Sequence, residues 1–316
     1  MKKKPNHLVC RVVLPIILFA LPLFSQPLFS VPILTTEEIQ ARMILEALRR
    51  AYPDRVEGVE WKDGDWTIQI RGDFFYWAHG RLLPPKARDR WSDYRPYVFY
   101  TYPQEPNNPA TFSKEKIEAL RKQGDSESRQ RGLDHQLSFQ AALYGGSTRA
   151  VIEDHLVQVS LFGKSVSVHE RIQKPLQRIN QRILELSKTS TAVAEFLRGI
   201  KSIDGYNWRE IRGTQRKSFH SWGLAVDILP KKLEGKAIYW EWERERNENW
   251  MILPLQERWT PPATVIEAFE AEGFIWGGKW DLYDDMHFEY RPELFEIRKI
   301  FSAVGGIDPL RSLWSR

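Results

Sequence analysis

An α+β fold, with small antiparallel sheets and helices packed against them, is what the sequence predicts, and three observations carry it. Pairs of runs alternating apolar and polar residues flank glycine turns, as in VEWKDGDWTIQI (59–70) and VQVSLFGKSVSV (157–168). Amphipathic helices accompany them: after the second pair, Ile172, Leu176, Ile179, Ile183 and Leu186 recur at helical intervals and define one buried face. Two further short strands, LAVDI (224–228) and MHFEY (286–290), sit near the C-terminus.

In chain order, Lys2, Lys3, Lys4 and Arg11 precede the apolar run from Val12 to Phe24, so residues 1–30 read as a signal peptide or an N-terminal anchor. Export to the periplasm or cell envelope is the expectation. The leader holds four basic and no acidic residues, so the formal charge of +5 becomes 5 − 4 = +1 for residues 31–316. That leaves no basic excess of the kind a nucleic-acid partner needs, and a membrane partner is expected only if the leader is retained. The single cysteine, Cys10, lies in the leader. A disulfide framework is thereby excluded, and any metal site must use histidines and carboxylates.

Residues 31–147 read as an N-terminal α+β region of unknown role. Thr35 and Glu38 form a capping box for a helix bearing Ile39, Met43, Ile44 and Leu48, which Pro53 ends. The hairpin around Asp63-Gly64 follows, and then a second hairpin-like pair in FFYWAHGRLLP around His79-Gly80. Residues 84–112, rich in Pro and Tyr, are expected as a surface excursion, with a helix starting near Ser113. The charged run from Lys122 to Arg131 reads as a solvated face or loop. Gly145-Gly146-Ser147 is a plausible hinge into a second domain, 148–316.

That second domain opens with a helix, the 157–168 hairpin and the long helix. Later, ATVIEAFEAEGF (263–274) forms a helix burying Val265, Ile266 and Phe269, with Gly273 as its cap. The stretch from Pro230 to Pro262, with YWEWERERNENW, reads as a loop or helix that could shape specificity.

Two segments concentrate chemistry, NWREIRGTQRKSFHSWGLAVDILP (207–230) and IWGGKWDLYDDMHFEY (275–290). Gly223 permits a tight turn between His220 and Asp227, so both side chains can converge. In MHFEY, His287 and Glu289 point one way, Met286 and Phe288 the other. His220, Asp227 and His287 therefore form a candidate zinc site for one ion, with a fourth position open for a water whose pKa the metal lowers toward about 7.

Hydrolysis also needs a proton carrier. Asp284 is the candidate, with Asp285 and Glu289 as rivals and Asp281 a weaker one. A cation from Arg209, Arg212 or Arg216 would polarise a carbonyl, and spacing does not choose among them. Ser218 is placed to hydrogen-bond substrate. Trp222 and Trp280, like Trp276, read as core or cleft-wall residues, with Trp222 and Trp280 as candidate substrate contacts, and all three are flanked by glycines, Gly223, Gly277 and Gly278. His79, His135, His155 and His169 read as structural.

At these residues the chain resembles the M15 metallopeptidases, the group of D-alanyl-D-alanine carboxypeptidases and L-alanyl-D-glutamate endopeptidases that includes VanY-like enzymes and phage endolysins. The family's Ser-x-His-x-x-Gly-x-Ala-x-Asp motif stands here as SFHSWGLAVD, and its Asp-x-x-His element as DDMH. The resemblance implies His220, Asp227 and His287 as zinc ligands, Asp284 as catalytic base and Arg209 as the polarising cation. It implies an antiparallel sheet holding the ligands, flanked by helices, in the LAS/hedgehog-like peptidase fold. Asp at the base position, where carboxypeptidases of the family often carry Glu, is similar to the endopeptidase branch. A peptidoglycan stem peptide is the implied substrate. The other reading is a cell-wall binding or scaffolding module that keeps the fold without turnover.

Overall fold

The structure, a computed structural model, describes residues 35–125, 133–209 and 217–303. The leader and part of the Lys122–Arg131 run lie outside them. Residues 35–303 belong to one compact unit, and no helix among the described residues is long and apolar enough to cross a membrane.

The chain begins with α1 (Thr36–Ala51), whose capping box pairs Thr35 with Glu38 in both directions and whose Ile44, Leu45 and Leu48 are buried. A three-stranded antiparallel sheet follows, β1 (Val56–Lys62), β2 (Asp65–Ile70) and β3 (Asp73–Tyr76), with Lys62 opposite Asp65 across the Asp63-Gly64 turn. Asp63 and Gly64 both take positive φ, which that two-residue turn requires. Then come α2 (Lys114–Gly124), capped by the Ser113 side chain, α3 (Ser138–Tyr144) and α4 (Arg149–Glu153). The hairpin of β4 (Leu156–Leu161) and β5 (Lys164–His169) leads into α5 (Gln173–Leu186). Pro175 is accommodated there because it falls in the first turn.

After α6 (Thr191–Gly199) the sheet that positions the site is built from β6 (Ile200–Asp204), β7 (Ala225–Pro230), β8 (Phe274–Trp276) and β9 (His287–Tyr290), in the order β6-β7-β9-β8 with every pair antiparallel. The remaining helices are α7 (Trp240–Arg244), α8 (Ala263–Ala271) and α9 (Pro292–Ala303). Alternation decides the two faces of the sheet. Val226, Ile228 and Phe288 are buried beneath α8, where Phe269 stacks on Phe288 at 4.1 Å, and Asp227, His287 and Glu289 occupy the other face.

The region before residue 147 is joined to this sheet by many contacts. Helix α1 packs on α9, and the buried Tyr52 hydroxyl donates to Glu293 at 2.8 Å. Across the proposed hinge, His169 Nε2 donates to the Tyr144 carbonyl at 2.9 Å.

Residues 84–112 differ from the expected surface excursion. Tyr97, Phe99 and Tyr102 are buried, because aromatic rings in an irregular segment can still find a core when their hydroxyls find partners. The Tyr102 hydroxyl donates to Glu270 at 2.6 Å and accepts from the Trp276 amide at 2.9 Å, tying the segment to the β8 edge. Tyr102→Phe removes both bonds at a buried position, and chemical denaturation should show a loss of about 1–3 kcal/mol.

Candidate metal centre

His220 sits on a single 3-10 turn, Phe219–Trp222. The turn is capped by Ser218, whose Oγ accepts the His220 amide hydrogen at 3.3 Å, and closes on Gly223 at φ +64°. A Cβ at Gly223 would come within 2.7 Å of the His169 nitrogen, so glycine is required both by conformation and by space. The reversal delivers the chain into β7, where Asp227 lies directly opposite His287 of β9. Sheet register thus brings together residues 60 positions apart in the chain.

One ligand atom from each of His220, Asp227 and His287 falls within 4.8 Å of the others. His287 Nδ1 is 2.8 Å from Asp227 Oδ1, His220 Nε2 is 3.1 Å from Asp227 Oδ2, and the two ring nitrogens are 3.3 Å apart. The outer nitrogens are already engaged: His220 Nδ1 donates to the Gly205 carbonyl at 2.6 Å, and His287 Nε2 donates to Glu289 Oε2 at 3.1 Å. With both imidazoles neutral, the inner nitrogens present bare lone pairs to each other and to a carboxylate.

Such a meeting needs positive charge at its centre. A proton can supply it: although burial opposes protonation, Asp227 and Glu289 push His287 well above the usual histidine range. A divalent cation suits the same three atoms better, because it engages all of them at once, and the outer hydrogen bonds already fix both rings in the tautomer that metal ligation needs. Burial likewise works against the charge on Asp227, and His220 and His287 overcome it to hold the carboxyl below its ordinary range. The residues fit a divalent ion, zinc among them.

Asp284 lies on the turn entering β9, its amide donating to the Gly277 carbonyl at 3.1 Å. A Cβ at Gly277 would stand 2.6 Å from the Asp284 carbonyl oxygen, which explains the glycine. Asp284 Oδ1 is shut off from solvent and has no hydrogen-bond partner. Burial first, and the Asp227 carboxylate second, raise its pKa well above the normal carboxylate range. The three rival acids are engaged elsewhere. Asp285 forms a buried two-point pair with Arg258, Asp281 binds Lys116 and Asn107, and Glu289 supports His287 and faces Arg291.

Arg209 is exposed and borders a cleft of about 380 Å³ that is also lined by His220 and Asp227. Its backbone is pinned by Ser221, whose Oγ accepts from the Arg209 amide at 2.9 Å and donates to its carbonyl at 2.5 Å. Arg212 and Arg216 lie outside the described residues.

Ser218 is buried, with its oxygen occupied at the turn. Trp222 needs correction as a cleft wall. It is 1% exposed, packs against Tyr144 at 5.8 Å and belongs to the core, because the same turn that brings His220 to Asp227 drives the next aromatic to the opposite side. Trp276 is buried too, its indole donating to the Asp285 carbonyl. Trp280 does border the site, its ring 5.4 Å from His287 and its indole donating to the Tyr100 hydroxyl at 2.9 Å. Sequence reasoning missed Gly205 and Tyr100. The signal available for Tyr100 was the aromatic run of residues 97–102, and for Gly205, whose contribution is a carbonyl oxygen, there was none.

Residues 212–290 match a family model described as D-alanyl-D-alanine carboxypeptidase. Over this stretch the chain is similar to the M15 peptidases. It contains His220, Asp227, Asp284 and His287, and Arg209 lies three residues before it. Residues 44–99 match a domain of unknown function (DUF8518). A 77-residue stretch is 34% identical to the peptidoglycan L-alanyl-D-glutamate endopeptidase CwlK of Bacillus subtilis (strain 168), covering 24% of this chain and 41% of that protein. The match therefore spans less than half the length of that relative. No solved structure matches the chain.

Proposed function

We propose that the chain is a zinc-dependent peptidase that hydrolyses an amide bond in the stem peptides of peptidoglycan. The observation that carries the reading is the meeting of three metal-binding atoms beside a buried carboxylate oxygen that has no partner. Support comes from the M15 match and from the likeness to a protein described as a peptidoglycan endopeptidase.

A zinc ion held by His220, Asp227 and His287 would supply Lewis acidity, lowering the pKa of water and polarising a carbonyl. The chain's own residues do the rest. Asp284, as general base, takes a proton from the attacking water on its unpartnered oxygen and returns it to the leaving amine. Arg209, at the mouth of the same cleft, stabilises the oxygen that gains negative charge. Glu289 and the Gly205 carbonyl keep the two imidazoles oriented throughout. Trp280 forms a wall against which substrate packs.

Two bonds fit this chemistry, D-alanyl-D-alanine and L-alanyl-D-glutamate. Purified full-length protein incubated with defined muropeptides, with products identified by mass spectrometry, separates them. Release of a terminal D-alanine assigns the carboxypeptidase reaction, and a break after the first L-alanine assigns the endopeptidase. A chelator should stop the reaction and added zinc restore it. Absence of any cleavage, with zinc bound, would favour a wall-binding module without turnover.

A further inference from the structure

The N-terminal sheet carries a second cleft, of about 650 Å³, that shares no lining residue with the one beside His220 and Asp227. That volume is within the range of small-ligand sites. Four tryptophans line it. Trp61 and Trp91 are 45% and 42% exposed, whereas Trp66 and Trp77 are 9% and 6% exposed. The exposed pair is held in place by neighbours: Trp61 meets Trp66 edge-on at 5.6 Å, and Trp91 lies against His79 at 4.6 Å with Arg81 over its ring.

The buried pair supplies the second observation. The indole N–H groups of Trp66 and Trp77 are both cut off from solvent, and neither has a hydrogen-bond partner. Buried donors in folded proteins are nearly always matched, so two orphans on residues of one cleft's lining mark donors that a ligand's acceptors take up once the side chains covering them shift. The lining also holds the carboxylates of Asp89 and of Glu37, which accepts from His79 at 2.7 Å, and the guanidinium of Arg88, which donates to the Asp63 carbonyl at 2.7 Å.

The chemistry of this set narrows the ligand. Carboxylates at the cleft disfavour an anion. A quaternary ammonium would suit aromatic faces and carboxylates but has no acceptor to offer the indole donors. A sugar answers every feature, because its C–H faces stack on aromatic rings and its hydroxyls both donate to carboxylates and accept from N–H groups. We propose that this cleft is a saccharide-binding site, with Trp61 and Trp91 as stacking platforms and the Trp66 and Trp77 indoles as donors. It lies within the stretch matched to a domain of unknown function, apart from the Thr35–Ala41 part of its lining. With a wall glycan as ligand, it would hold the chain on the polymer.

The test uses the full chain with indole nitrogens labelled. It is titrated in separate experiments with peptide-free peptidoglycan glycan strands, N-acetylglucosamine oligomers, cello-oligosaccharides and choline. Saturable shifts of the Trp66 and Trp77 indole signals with either amino-sugar ligand support the proposal and point to the wall glycan. Shifts with cello-oligosaccharides alone support the site and assign it to another polysaccharide. Trp61→Ala and Trp91→Ala, exposed positions whose loss spares the core, should each weaken binding by about five- to tenfold. No saccharide response, unchanged affinity in both variants, or a choline response with the same tryptophan dependence would overturn it. No cleavage is read, so failure of the peptidase reading leaves the result untouched.

Discussion

Asp284→Asn should lower the turnover of a cleaved muropeptide by about 10²–10⁴-fold while leaving one zinc bound per chain. Asparagine matches the shape of aspartate and leaves the backbone bond to Gly277 intact, but it cannot take up a proton at neutral pH. None of the acids near Asp284 in sequence can step in. Asp285 is neutralised by Arg258 in the core, Glu289 is held by His287 and Arg291, and Asp281 binds Lys116. The pH profile gives an independent reading. A base works only when ionised, and burial together with Asp227 raises the Asp284 pKa, so wild-type turnover falls as pH drops through that value. The residual activity of the variant should lack that acidic limb. Metal content by mass spectrometry and turnover by product analysis check both halves, and a variant with full activity would exclude Asp284 as the base.

The sequence was most informative where a local rule suffices. The Thr35–Glu38 box, the turns at Asp63-Gly64 and Gly163, and the buried stripe of α5 each follow from neighbours a few residues apart, and each stands in the structure. The meeting of His220, Asp227 and His287 was legible for a different reason. Alternation put His287 and Glu289 on one face, and a glycine turn let His220 approach Asp227, so only one strand pairing was left to find.

What escaped was long-range. Whether Trp222 was a core or a cleft residue could not be read from its flanking Gly223, because its place is set by packing on Tyr144, 78 positions away (222 − 144). Tyr102 gave no periodic signal, because its burial depends on Glu270 and the Trp276 amide. The rivalry among Asp281, Asp284, Asp285 and Glu289 could not be resolved along the chain either. It turns on Arg258 and Lys116, which approach from separate segments.

Asp227→Asn should abolish zinc binding without unfolding the protein, and the reason lies in the hydrogens at the site. In the wild type, three acceptors meet around a point where only added positive charge relieves their repulsion. Asparagine removes one negative charge and brings an amide N–H that can donate to His287 Nδ1, so the site satisfies itself with no ion. Zinc added in thousandfold excess over its dissociation constant stabilises a folded protein by about 4 kcal/mol when the unfolded chain does not bind it. In a chain of 316 residues that shifts the melting temperature by roughly 6 °C. The wild type should show a shift of that order with zinc and lose it with a chelator; it should also lose it on acidification, as protons compete for His287. The variant should show no zinc-dependent shift under any of the three conditions. Because unfolding is measured rather than cleavage, this outcome isolates the metal site from every question about substrate. A variant that still gains stability from zinc would place the ion on other ligands.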